Sequence, residues 1–465
     1  MSVNKEVPNG WAWPTIPEMI PSEGVFVDGD WIESKDQDPN GEVRLIQLAD
    51  IGDGDFKNKS SRFLTLKRAN ALNCTFLRQD DILVARMPDP IGRACLFPLK
   101  NENSFVTAVD VAIIRLGDKS VIPKYLMHSI NNLYIRREIE SLQSGTTRKR
   151  ISRSNFAIIK FPLAPLPEQH RIVAKIEEVF SSLDKGIESL KSARQQLIVY
   201  RQAVLKWAFE GKFANENVKE GELPDGWKWK QTKEITSVLG DGLHGTPVYS
   251  ESGEYYFING NNLSDGKIEI KENTKRVTIE EYEKYKKPLN DNTIFVSING
   301  TLGNTAFYNG EKVVLGKSAC YFNVLNIVDK QYLRYCITSQ RFINYAHKNA
   351  TGSTIKNVGL KAMREFEIPL PATIEEQQLI VGEIEFRLSV CDKIEESIEQ
   401  SLKQSEALRQ SILKKAFEGK LVPQDPNDEP ASVLLDRIKA EREQNKPETP
   451  PRRQAGKIKT EKAKS

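Results

Sequence analysis

The densest basic stretch ahead of the C-terminal tail is Ser144-Gly-Thr-Thr-Arg-Lys-Arg-Ile-Ser-Arg153. One glycine, several hydroxyls and four cationic side chains in a single loop suit phosphate oxygens and groove edges, since hydroxyls and cations both donate to phosphate. A paler version recurs as Thr351-Gly-Ser-Thr-Ile-Lys-Asn357. Thr146, Thr147, Arg148, Lys149 and Arg150, with Ser353, Thr354 and Lys356, are therefore candidate DNA contacts. A solvated loop leading into the next helix is the plainer alternative. Arg86 and Arg93 bracket Met-Pro-Asp-Pro-Ile-Gly after a strand-like run, where the later part of the chain has Ser-Ile-Asn-Gly-Thr-Leu-Gly-Asn304. Arginine pairs bidentately with guanine, and Asn or Gln with adenine. Arg86, Arg93, Gln47, Asn259, Asn299 and Asn304 are candidate base readers on that ground, and His244 in a glycine-rich turn joins the set.

Residue patterns that would carry catalysis do not assemble. Gly-Asp-Gly-Leu-His-Gly245 has dinucleotide-loop spacing, but Thr246-Pro247 follow and no helix opens to meet a pyrophosphate. Gly-Glu-Lys-Val-Val-Leu-Gly-Lys-Ser318 has five residues between its glycines where a phosphate loop needs four. Four histidines (His128, His170, His244, His347) form no ligand cluster, so no metal site is expected. There is no Asp/Asn-Pro-Pro-aromatic methyltransferase loop, acidic-lysine nuclease cluster or helicase signature. Recognition, with no catalytic residue and no cofactor on this chain, is the expectation.

These residues must be positioned by a frame of 465 residues, long enough for about three compact units. At 39% hydrophobic and 28% charged residues the composition is that of a globular protein. The net charge of +4 is uneven: the last twenty residues hold seven Lys/Arg against two Glu, so the remainder is near −1. Overall charge thus does not argue for nucleic acid, and only a local patch can. No run is long enough to span a bilayer and the N-terminus lacks a signal-peptide pattern. Five scattered cysteines without ligand spacing predict reduced thiols and a cytoplasmic chain.

The frame is written twice. Pro167–Phe213 and Glu375–Leu421, at an offset of 208, agree at 21 of 47 positions, and both end in Ala-Phe-Glu-Gly-Lys. Upstream the repeat is fainter: Gly10-Trp-Ala-Trp13 answers Gly226-Trp-Lys-Trp229, and Leu45-Ile-Gln-Leu answers Phe257-Ile-Asn-Gly. Ile176, Leu183, Leu190, Leu197 and Val204 fall seven apart, interleaved at three and four, which predicts a helix with one apolar seam about 65 Å long. The second run is less regular, with Arg387, Ser401 and Ser405 in its seam. Gly211 and Gly419 mark the helix ends. Runs such as Asp-Asp-Ile-Leu-Val-Ala-Arg86 and Asn-Thr-Ile-Phe-Val-Ser-Ile298 read as strands. The expected fold is α+β: two small mixed domains in a pseudo-two-fold arrangement, held apart by two long antiparallel coiled-coil-like helices. The expected boundaries are 1–166, a helical region 167–213, a linker 214–222, a second domain 223–372, a second helical region 373–421, then 422–465 with a linker, a short amphipathic helix containing Leu434, and a basic tail.

Several of these segments together make the chain resemble the specificity subunits of type I restriction–modification enzymes. They are the Gly-Trp-x-Trp openings, the mid-domain strands, Ser144-Gly-Thr-Thr and Thr351-Gly-Ser-Thr, the Pro-Glu-Gln and Glu-Glu-Gln helix starts, the two Ala-Phe-Glu-Gly-Lys ends and Glu-Pro-Ala-Ser-Val-Leu-Leu-Asp-Arg-Ile-Lys-Ala-Glu-Arg-Glu443. The resemblance implies two target-recognition domains, each reading half of a split double-stranded DNA site. It implies docking of two methyltransferase subunits, and of restriction subunits on those, with S-adenosylmethionine, ATP and magnesium on the partners. Phe209, Phe417 and Leu434 would then lie at partner contacts, with packing onto the chain's own domains as the alternative. A methylation-only complex, a coiled-coil scaffold that reads no DNA, and a single-chain methyltransferase or nuclease are the competing functions.

Overall fold

The computed structural model describes residues 8–88, 90–100, 103–117, 121–145, 148–213, 217–219 and 221–445. The basic tail from Lys446, together with Thr146 and Thr147, lies outside them. The described chain forms two compact units that do not follow chain order. One joins the residues up to Ile187 with those from Leu402; the other is Glu188–Ser401.

In the first unit the strands are β1 (Val25–Asp28), β2 (Val43–Ile46), β3 (Arg62–Leu64), β4 (Ile82–Ala85), β5 (Ala94–Leu96), β6 (Phe105–Thr107) and β7 (Val111–Arg115). They make an antiparallel sheet ordered β1-β7-β4-β5 and a smaller one ordered β3-β2-β6, in which β2 and β6 are parallel. The second unit repeats both orders. Thr236–Asp241, Ala319–Val324, Thr293–Ser297 and Thr305–Phe307 make the larger sheet, while Arg276–Val277, Tyr255–Ile258 and Val313–Leu315 make the smaller, again with one parallel pair. Duplication that is faint in sequence is therefore plain in topology. β4 is buried at every position, so it reads as a continuous apolar run without alternation.

Helices Pro123–Asn131 and Leu133–Ser141 close the larger sheet of the first unit. The Asn131 amide donates to the Ala94 carbonyl at 2.8 Å and accepts from the Ala94 N–H at 2.9 Å, so a side chain satisfies the open edge of β5. The buried Tyr125 hydroxyl donates to the Pro162 carbonyl at 2.9 Å, and Tyr332 makes the matching bond to Pro369 at 2.5 Å.

The two long helices, Leu166–Phe209 and Ile374–Phe417, explain why the repeated phrases are kept. At their starts, Glu168 accepts from the Trp11 indole at 3.0 Å and Glu376 from the Trp227 indole at 2.7 Å. Gln169 accepts the Ile122 N–H, and Gln377 the Asp329 N–H, satisfying donors that open the following helix in each unit. At their ends, Phe417 packs edge-on against Tyr125 in the first unit and Phe209 against Tyr332 in the second, at 5.3 and 5.4 Å. Gly211 and Gly419, at φ of 74° and 68°, close both helices by letting the next residue's N–H reach back to Trp207 and Lys415. Within the first unit the helix halves run antiparallel: Arg409 pairs with Asp184 and stacks over Phe180. In the second, Arg201 reaches Asp392 at 2.7 Å and Glu395 at 3.1 Å.

The seam differs in detail from the heptad expectation. Ile172, Ile176 and Val204 are buried, the middle seam residues Leu183, Leu190 and Leu197 only half-buried, and Trp207 is 48% exposed. Arg387 is accommodated because its guanidinium lies 4.9 Å over the Phe213 ring and pairs with Glu383. The amphipathic helix Ala431–Gln444 buries Ala431, Leu434 and Ile438 in the core of the first unit. All five cysteines are free and buried, and among the described residues no helix is long and apolar enough to cross a membrane.

Candidate nucleic-acid interface

Two equivalent hairpins present the hydroxyl and basic residues. Ser144 and Arg150 exchange backbone hydrogen bonds at 2.8 and 2.9 Å, with Gly145 at φ 105° entering the turn. Ala350–Thr351 pairs with Asn357–Val358, with Gly352 at φ 94° in the same place. A Cβ at either glycine would come within 2.5 Å of the carbonyl of Arg148 or Ile355, so the tight turn requires glycine on two counts. Arg148, Lys149 and Arg150 are exposed, as are Ser353, Thr354, Ile355 and Lys356. The hairpins share a lysine (Lys149, Lys356) and differ at Arg148 against Ile355 and at Arg150 against Asn357. An exposed isoleucine on the second hairpin offers an apolar contact where the first offers a cation.

Other candidates are placed elsewhere. Arg86 is buried, paired with Asp28 and bonded through Nε to the Ile151 carbonyl at 3.0 Å, so it does not face a base edge. Arg93 spends its guanidinium on the carbonyls of Ile51, Leu48 and Pro90, at 2.6, 2.9 and 3.0 Å, pinning the loop before β3. Both positions lie beside a strand end, as expected, but the nearby backbone turns carbonyls toward them. Gln47 is half-buried and starts that loop, its N–H held by Asp50 at 2.8 Å. Asn259 accepts from Ser318 at 2.9 Å, and Asn299 donates to Asn357 at 3.3 Å, so Asn299 braces the second hairpin. Asn304 is half-buried and its backbone pairs with Ser297. His244 is exposed, with Nε2 2.5 Å from Asp241, in a loop that also exposes Val248 and Tyr249. Phe209, Phe417 and Leu434 are 6%, 7% and 5% exposed, which removes them as contacts for a partner: each fills the core of its own unit, where a large apolar side chain is withdrawn from water.

Sequence reasoning missed the loop Lys57-Asn58-Lys59. Its three side chains are exposed because the fully buried Asp50 carboxylate takes the N–H groups of Lys59 and Ser60 at 2.6 and 2.8 Å and folds the loop outward. The Asp-Gly-Asp-Phe-Lys-Asn-Lys pattern could have signalled it. Also missed was an open groove of about 680 Å³ in the second unit, lined by Trp207, Phe213, Leu379 and Ile380 together with the charged Lys212, Glu376, Glu383 and Arg387. Leu379 and, one face-turn on, Phe386 are 75% and 65% exposed. Among the described residues no three His, Cys, Asp or Glu gather to hold a metal ion. His128 is held down to about 4 by desolvation, its ring buried edge-on against Phe180.

A family model for the type I restriction modification DNA specificity domain matches residues 13–196 and again 224–404. The chain is 26% identical over 351 residues to the type I restriction enzyme StySPI specificity subunit of Salmonella potsdam, which covers 70% of this chain and 73% of that one. It is 25% identical over 342 residues to the EcoKI specificity subunit of Escherichia coli K12, with the same two coverages. Two solved structures share the fold. One is the HsdS subunit of Thermoanaerobacter tengcongensis (TM-score 0.58, 18% identity, 90% of this chain and 99% of that one). The other comes from work on complex assembly and conformational transition of the type I R-M system (TM-score 0.65, 19% identity, 89% and 99%). With both units matched by the same domain, the chain belongs to the type I restriction–modification DNA specificity family.

Proposed function

We propose that the chain is the non-catalytic part of a type I complex in the cytoplasm, each unit reading one half of a bipartite, asymmetric DNA site. The observation that carries this reading is the pair of equivalent hairpins: matching backbone pairing with a positive-φ glycine, a shared lysine, and unlike side chains at Arg148/Ile355 and Arg150/Asn357. A shared lysine suits phosphate, which has no sequence; residues that differ suit bases, which do. Arginine favours guanine, while isoleucine favours the thymine methyl group, so the half-sites differ. Two methyltransferase subunits dock on the long helices and restriction subunits on those, with S-adenosylmethionine, ATP and magnesium held by the partners. The groove around Trp207 and Leu379, where exposed apolar side chains lie among charged ones, supports docking at the second unit.

A base-modification map of host DNA, with and without the gene and with the methyltransferase present, tests it. Loss of one split adenine-methylated motif with the gene is expected; an unchanged map would overturn the reading.

A further inference from the structure

We infer that Arg86 is a positioning residue that sets the basic hairpin of the first unit against DNA, and that Asp28 is its charge partner. This rests on the proposed reading that the hairpin meets phosphate. Arg86 follows β4 directly, and its own N–H donates to the Asp110 carbonyl at 2.9 Å. Its carbonyl accepts the Ile151 N–H at 3.1 Å while its Nε donates to the Ile151 carbonyl at 3.0 Å. One residue therefore grips both sides of Ile151, the first residue after Arg148-Lys149-Arg150. Ile151 is itself fully buried, so the hairpin leaves the core from a fixed point. The guanidinium also reaches the Val109 carbonyl at 3.4 Å and pairs with Asp28 at the end of β1.

A buried guanidinium is costly unless charge and hydrogen bonds offset it, and its rigid planar fork spreads five donors over two carbonyls and a carboxylate, which the three tetrahedral donors on one ammonium nitrogen match poorly. The second unit makes the contrast. There the Val358 N–H bonds to the Ile298 carbonyl at 2.8 Å, which puts Ile298, buried and uncharged, at the place of Arg86. Asp241, which pairs across to Cys320 as Asp28 does to Ala112, turns to the exposed His244 instead. That hairpin is braced by the Asn299–Asn357 bridge. The arginine lock accompanies the basic hairpin only, where three cations repel one another and the loop needs holding.

The test is a mutant cycle on the full chain, measuring binding to a mixed-sequence DNA duplex of about 30 base pairs across a salt series. On such mixed-sequence DNA Arg148 and Arg150 have no matched base and meet phosphate with Lys149, so replacing the three together by alanine is expected to lower the salt slope by about 2–3, near 0.9 per lost phosphate contact. Arg86→Lys, which keeps the charge but loses the fork, is expected to weaken binding about tenfold and lower the slope by about 1–2; any fall in the thermal unfolding midpoint is expected to be the same in the triple-alanine background, so the salt slope separates positioning from stability. Asp28→Asn, a milder change at the same lock, carries the same sign. In the triple-alanine background Arg86→Lys is expected to have almost no further effect, since it acts through the hairpin. An equal loss in both backgrounds, or no loss in the parent chain while the triple variant lowers the slope, overturns the inference alone. An unchanged slope in the triple variant overturns the hairpin reading and the inference with it.

Discussion

At the scale of single residues, side-chain type was legible in the sequence and burial was not. Arg86 and Arg93 were reasonable base readers by type, yet neighbouring carbonyls claim them, and no sequence pattern reports where a carbonyl points. The same holds for Phe209 and Phe417, whose phrase was legible as a repeat but whose destination is the core of a unit. Phe417→Ala is expected to destabilise the first unit by about 3–5 kcal/mol and Phe209→Ala the second by a similar amount, from lost burial plus the cavity left behind. Denaturant unfolding checks this, and a cost below about 1 kcal/mol would contradict the packing. His128 gives a pH prediction. Its folded value of about 4 lies below the ordinary 6.5, so its contribution is complete above pH 6.5 and is lost as pH falls toward 4. By pH 5 the loss is about 2 kcal/mol, and His128→Gln is expected to remove this share of the acid sensitivity.

At the scale of elements, the strands were legible as apolar runs bounded by turns, but their pairing was not. Nothing in Val-Arg-Leu-Ile46 announces that β2 lies parallel to β6, because register is decided by long-range contacts. The long helices were legible from spacing, and the surface beside their seam was not. Leu379 and Phe386, seven residues apart, sit on a face next to the seam, as does Trp207 on the sister helix. At the positions 208 residues away the chain has Arg171, Glu178 and Lys415, and Arg171 pairs with Asp428 of the chain's own C-terminal segment at 2.6 Å. Leu379→Glu with Phe386→Glu is expected to leave unfolding within about 0.5 kcal/mol, since both side chains are exposed. Capture of the methyltransferase subunit is expected to fall more than about tenfold, because two exposed apolar side chains are lost from the docking face and the carboxylates that replace them must be desolvated there. Unchanged capture would place docking elsewhere.

At the scale of the whole molecule, chain order and compact unit part company. Each unit owns one recognition domain, the first half of the helix that follows it and the closing half of the other long helix. Conserving both helix phrases while the domains diverge is what such sharing demands, since each helix must fit two units at once. On the proposed function, the two units read their half-sites independently. The direct measurement is to replace residues 224–372 by the matching domain of a relative and map the methylated motif in the cell. One half of the motif is expected to change while the other half stays the same. If both halves change together, or neither does, the units do not read the site one half each.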